Sequence, residues 1–299
     1  MLLLYLHIAA AVIHLISCVM ATVVHVDVKA QVTLPKHMYL SSPVRMETTH
    51  ETLLEQNPMV WVAANEALTL FSHLIAIFLL VSDEKMRKYE GLRRTIEYSF
   101  TAGILQVALI LGTGSIPLST LLYVIIVNVV MQMIGHASEG ENRTLLLTSG
   151  FVLLAAQIQV VMTNAFLLEG IATEYFLVMG VFYALFYIGF GVVKIFRPTY
   201  EDEIYILMSV TSKVTLSWVL LGNIFEGYKE MGEDMDFTDL DWRAIQWGVV
   251  LFSVIGLSVG IPLIQSTKPY LDKEDQIKRT EVKLQNLRDS RVEFKDLRY

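Results

Sequence analysis

Eight long stretches of this sequence carry almost no charge. They fall near residues 2–25, 59–82, 95–113, 117–136, 145–168, 173–195, 203–225 and 244–265. Each is close to the ~20 residues that cross ~30 Å of hydrocarbon at a rise of ~1.5 Å per residue. Inside a bilayer the backbone must satisfy its own polar groups, so each run is predicted to be a spanning helix. The fold class is therefore an all-α membrane protein. Composition agrees: 54% of the 299 residues are hydrophobic and only 18% are charged, where a soluble domain carries about a quarter. The third and fourth runs are divided only by Gly112, Gly114, Pro117 and their neighbours. The first run has no basic segment before it and is long enough to span, so it is read as a helix, not a cleaved leader. Cys18 is the single cysteine, which excludes an internal disulfide. The net charge of −7 argues against nucleic acid as a partner.

Loop charges set the orientation. Seventeen Lys and Arg residues lie on the side of the N-terminus and five on the other. Basic loops stay in the cytoplasm, so the N-terminus is predicted cytoplasmic and, after eight spans, so is the C-terminus. The sequon Asn142-Arg143-Thr144 then faces the cytoplasm, where it is not glycosylated.

Three polar regions lie outside the bilayer. Residues 26–58 form an extracellular loop. Within it Val26, Val28, Ala30, Val32 and Leu34 alternate with polar residues, the period of a half-buried strand. Pro35 and Lys36 read as a turn, with a return strand at His37–Leu40, so a small β-hairpin is expected. Its apolar face needs a cover, either its own helix ends or a second copy of the chain. Residues 226–243 form an acidic extracellular linker. Residues 266–299 are read as a cytoplasmic helical tail, with Ile277, Leu284, Leu287 and Phe294 at heptad-like spacing.

An ionised side chain at mid-bilayer costs roughly 2.5–3.5 kcal/mol, so such residues are functional candidates. Lys213 lies about ten residues from either end of the seventh run. It fits three roles: half of a structural ion pair, part of an ion or proton path, or the attachment point of an aldehyde cofactor. Glu97 is the best carboxylate partner and Glu66 a weaker one. His14 and His73 share the depth of Lys213 and suggest a polar cavity. Ligands are too few for a metal site. The sequence has no Gly-rich phosphate loop and no hydrolase elbow, so no enzyme is indicated.

The segment from Glu203 to Trp218 resembles the retinal-binding helix of the heliorhodopsins, with Tyr205, Ser209, Lys213, Leu216 and Trp218 matching. Arg94, Glu97, Tyr98, Ser99 and Thr101 resemble that family's counterion segment, with Thr101 where Ser is usual. His14 and His73 fall where the family has a histidine in each of its first two helices. Met131 or Met133, Gly135, Glu139 and Asn142 resemble the end of its fourth helix. The likeness covers about residues 1–225. It departs in the sixth run, which has Phe176, Phe182, Tyr183, Phe186, Tyr187 and Phe190 but no tryptophan.

The resemblance implies a seven-helix rhodopsin-like bundle over 1–225, with the run at 244–265 as an additional transmembrane helix. It implies all-trans retinal held on Lys213 as a protonated Schiff base, with Glu97 as the single counterion and Ser209, Arg94 and Thr101 around it. His14 and His73 would accept a proton, and Tyr98, Phe182, Phe186, Tyr187 and Trp218 would contact the polyene. An inverted topology, a homodimer and a light-sensing role with a slow photocycle and a cytoplasmic signalling partner are the corresponding expectations. Light-driven or light-gated proton transport is the alternative.

Overall fold

The computed structural model describes residues 2–23, 29–41, 44–82, 89–114, 116–138, 142–166, 172–196, 200–230 and 244–266, with residues 277 and 280. The helices are α1 (Leu2–Val23), α2 (Pro58–Ser82), α3 (Glu90–Leu111), α4 (Leu118–Ala137), α5 (Arg143–Phe166), α6 (Ala172–Phe196) and α7 (Glu201–Glu230). An eighth long helix, α8, spans Ala244–Ser266. Seven of these eight are long and apolar enough to cross a membrane. The exception is α3, whose first two turns hold Glu90, Arg93, Arg94 and Glu97. It begins five residues before the expected start at 95, so its charged turns belong to the helix.

Consecutive helices pack side by side from α1 to α7, and α7 returns to α1, which closes a ring. Asn128 on α4 donates to the Tyr98 and Ser99 carbonyls of α3, each at 2.9 Å. Gln106 on α3 and Gln157 on α5 exchange hydrogen bonds, and Gln157 also donates to the Val124 carbonyl of α4. Buried amides of this kind hold helices together where lipid offers no hydrophobic contrast. Gln157, a scattered polar group in the sequence, is thus bound to its neighbours.

In the apolar stretch of α7, 78% of the residues are buried, against 17–33% in the other six spans. The reason is α8, which covers the outer side of α7. Ser253 and Thr215 share a hydrogen bond of 2.6 Å, and Gln246 donates to Asn223 and to the Val219 carbonyl. Gly260 permits the close approach: a Cβ there would sit 2.7 Å from Leu207.

Strands β1 (Ala30–Ser41) and β2 (Val44–Gln56) form the hairpin, and β3 (Ile116–Pro117) pairs parallel to β1 at Val32 and Thr33. The expected turn at Pro35–Lys36 is instead mid-strand, paired with His50 and Thr49. Pairing with β3 ends at Thr33, so among the described residues Pro35 lies where β1 has a free edge, the setting in which a sheet tolerates proline. The expected alternation is also interrupted. Thr33 is buried and Leu34 exposed, and at this point the register shifts between Val32 and Thr33, where Leu53 of β2 is the extra, unpaired residue of a bulge. The acidic linker beyond 230 lies outside the described residues, as does the tail apart from Ile277 and Thr280.

Candidate functional site

Three helices each carry a pair of titratable residues seven positions apart. These are His7 and His14 on α1, Glu66 and His73 on α2, and Glu90 and Glu97 on α3. A spacing of seven is two turns, which puts both members on one face. The three faces meet each other and α7 in the bundle interior, and all six side chains are buried.

Lys213 is at the centre of the interior, 4% exposed. Its Nζ donates to Glu97 Oε1 at 2.7 Å and to Thr69 Oγ1 at 3.0 Å. The other oxygen of Glu97 accepts from Ser72 at 2.8 Å and from Arg93 at 2.7 Å. Arg93 also contacts the Ser72 hydroxyl and binds Glu90 through two nitrogens at 2.5 and 2.9 Å. Glu97 thus serves two buried cations. Side chains tilt toward the N-terminus of their helix, which brings Lys213 down to the level of Glu97. The earlier start of α3 places Glu97 two turns inside that helix.

Beside the ion pair runs a file of histidines. His7 Nδ1 and His73 Nδ1 are 2.8 Å apart, His7 Nε2 is 3.4 Å from Glu90, and His73 stacks on His14 with ring centroids 5.6 Å apart. His14 Nδ1 is 2.6 Å from Glu66 Oε2, with neither side chain exposed. Ser217, one turn beyond Lys213, donates to Glu66 Oε1 at 2.7 Å, and Asn65 donates to the same oxygen at 3.2 Å.

On the opposite side of Lys213 lies a mostly apolar cavity between α3, α4, α5, α6 and α7. Its wall includes Tyr98, Ala102, Leu105, Met131, Gly135, Phe151, Leu154, Tyr187, Phe190, Tyr205, Ser209, Lys213 and Leu216. The Tyr98 ring lies 5.1 Å from Lys213 Nζ. Tyr98 donates to the Tyr205 carbonyl and Tyr205 to the Phe190 carbonyl, which ties three helices around the aromatic floor. At the end formed by the first turns of α3 and the last turns of α6, Arg94, Gln132, His136 and Lys194 line the cavity.

The structure brings Lys213, Glu97, Thr101, His14, His73 and Tyr98 together, and Ser209 and Tyr187 line the cavity. Thr101 donates to the Glu97 carbonyl one turn back, and so fixes its own helix. Arg94 leaves the ion pair. It binds Asp202 at 2.5 Å and its guanidinium lies 4.1 Å from the centre of the Tyr205 ring. Neighbouring Arg93, on the Glu90–Glu97 face, sits beside Glu97 instead. Trp218 also lies elsewhere, donating to Ser17 in a groove between α1, α7 and α8. Phe182 and Phe186 pack in the interior without lining the cavity. The sequence reading passed over His7, Glu90, Arg93 and Ser72. The seven-residue spacing of histidines and carboxylates was the signal available for the first two.

The described residues hold no cluster suited to a metal ion. No curated protein matches the chain significantly. Among solved structures it is similar to the light-driven proton pump rhodopsin of Coccomyxa subellipsoidea, with TM-score 0.53 and 14% identity. The likeness covers 74% of this chain and 96% of that one, and at this identity it establishes the fold alone. The family model named Heliorhodopsin matches residues 3–225. That match takes in the ring of seven helices, Lys213 and Glu97, and the chain belongs to the heliorhodopsin family.

Proposed function

We propose that this protein is a light-sensing retinal pigment in which Lys213 attaches the chromophore and Glu97 is its single counterion. Family membership and the rhodopsin-like fold support retinal as the cofactor, and the all-trans form is proposed. One observation carries the assignment of Lys213: its buried amine forms part of the wall of an aromatic cavity and meets one carboxylate at 2.7 Å. The residues fit the group, because an apolar, aromatic space begins at the nucleophilic nitrogen.

Retinal supplies the absorption of light and the isomerisation. The chain supplies the charge, the shape and the exclusion of water. Glu97 stabilises a positive charge at Lys213 Nζ. Arg93 and Ser72 hold the second oxygen of Glu97, which keeps Oε1 aimed at Lys213. Tyr98, Tyr187, Phe190 and Tyr205 set the shape of the pocket, and Ser209 adds a hydroxyl to its wall. His14 and His73 are the proposed region for proton acceptance.

The lipid bilayer surrounds the bundle. The basic-loop asymmetry supports cytoplasmic N- and C-termini, with α8 as a further spanning helix and the hairpin outside. Exposed Leu34, Leu53 and Leu54 on that hairpin support a homodimer contact. Signalling to a cytoplasmic partner is the proposed output. Light-driven or light-gated proton movement is the second reading. The buried histidine and carboxylate file through α1, α2 and α3 favours it.

The test is an absorption spectrum of the purified protein after addition of all-trans retinal, with Lys213→Ala beside it. A visible band in the wild type that the variant lacks is expected. A folded wild-type protein without a visible band returns Lys213 to a structural ion pair. Photocurrents under voltage clamp separate the sensor from the proton path.

A further inference from the structure

Lys213 has one carboxylate in contact and a second within one helical turn. Three rungs cross from α2 at successive turns. Ser72 meets Glu97 of α3, Thr69 meets Lys213 of α7, and Glu66 meets Ser217 of α7. Residues 66, 69 and 72 are three apart, so the rungs are about 4.5 Å from one another along the axis. Glu97 and Glu66 therefore bracket Lys213 Nζ from opposite directions. Only Glu97 is neutralised directly by cations, Lys213 and Arg93. Glu66 instead holds His14 at 2.6 Å.

The His14–Glu66 pair has properties that a purely structural contact does not require. Both side chains are fully buried. Glu66 Oε1 already accepts from Ser217 and Asn65, so its charge is solvated by fixed donors. His14 Nε2 and His73 Nε2 are buried and have no hydrogen-bond partner among the described residues. A buried polar atom left unpaired is costly, and here two such atoms belong to rings stacked between Glu66 and His7. His7 in turn reaches Glu90 at the first turn of α3.

We propose that His14–Glu66 is a second proton-binding site, which receives a proton from Lys213 Nζ on the side away from Glu97. Ser217 and Thr69 bridge the single turn between donor and site. The proton ends on Glu66 as a carboxylic acid hydrogen-bonded to His14. Glu97 keeps its negative charge and stays paired with Arg93. The proton returns from Glu66 to Lys213 Nζ by the same bridge, which restores the N–H, while His73 and His7 extend the polar file toward Glu90. No electrons move and no bond other than N–H and O–H changes. This inference rests on retinal attachment at Lys213 and adds to it the identity of the base.

The experiment is light-minus-dark infrared difference spectroscopy on the full-length pigment reconstituted in phospholipid vesicles with all-trans retinal. The wild type is expected to gain a carboxylic acid carbonyl band in the light. Glu66→Gln is expected to lose that band while retaining its visible absorption. Ser217→Ala removes one hydrogen bond to Glu66 Oε1 and is expected to shift the band to higher frequency without abolishing it. In the retinal-free protein, carboxylate and imidazole infrared bands followed during pH titration should change together for the pair, and in His14→Asn the coupled imidazole band should be lost and the Glu66 carboxylate band should change over a different pH range. A band that persists in Glu66→Gln, or an unshifted band in Ser217→Ala, overturns the proposal. So does a photocycle in the visible with no carboxylic acid band in the wild type. Failure to form a visible pigment at all is a different result: it removes the retinal reading, and this inference with it.

Discussion

The interior has two halves that meet at Lys213, and they are built from opposite materials. Toward α3, α4, α5 and α6 lies a cavity of rings and aliphatic side chains. Toward α1 and α2 the space is filled by imidazoles, carboxylates, hydroxyls and a guanidinium in mutual contact. The first half can adapt to a ligand's shape at little electrostatic cost. The second fixes charge, because each buried ion is held by several partners and moving one exposes another. A lysine on that border can present its nitrogen to an apolar ligand while its proton faces a polar network.

The largest expected effect is at the border itself. Lys213→Ala should abolish the visible band completely, read by absorption with added retinal, because no other lysine among the described residues lines the cavity except Lys194 at its far end. Next is the charge half. Glu97→Gln leaves Lys213 and Arg93 without their shared acceptor. A loss of about 3–5 kcal/mol is expected from breaking a buried pair, measured by thermal unfolding in detergent. Survival of normal stability would mean that Glu90 and Thr69 compensate. Arg93 and Arg94 then sharpen the division between neighbours. Arg93→Gln should displace the visible band, since Arg93 touches the counterion. Arg94→Gln should leave it nearly in place and lower stability by only ~1 kcal/mol, because its partner Asp202 is 45% exposed.

On the apolar side, Gly191→Ala would place a Cβ 2.5 Å from the Phe151 ring and push that ring into the cavity. The expected result is a shifted absorption maximum with a cost of roughly 1–3 kcal/mol and unchanged infrared bands from the polar half. A change in both would show that the halves are coupled. The smallest effect is expected from Trp218→Phe, which loses one hydrogen bond to Ser17, about 1 kcal/mol. Its absorption should match the wild type, since Trp218 faces the α1–α8 groove. A clear spectral shift would return Trp218 to the chromophore pocket, where the family resemblance had put it.

The spans were legible because hydropathy and length act locally. Even so, α3 was read as starting at 95, since Glu90, Arg93 and Arg94 look like a loop until their partners on α1, α2 and α7 are known. The hairpin was legible as alternation. Its turn was misplaced at Pro35 because a proline's tolerance depends on which strand edge is free, and that is a property of the assembled sheet. Lys213, Glu97, His14 and His73 stood out because charge and imidazole are expensive in lipid. Glu66 ranks below Glu97 in the sequence and His7 does not stand out there, because each gains its meaning only from a neighbour on another helix.

The sequence by itself determined a helical membrane protein, a lysine at mid-span in need of a partner, and membership of a recognisable family. Those follow from composition, spacing and identity along one chain. The tertiary structure decided which of two adjacent arginines serves Glu97, which aromatic residues line the cavity, and that α8 seals the outer face of α7. Residues 93 and 94 differ by ~100° around the helix axis, and that difference has no consequence until the helices are packed.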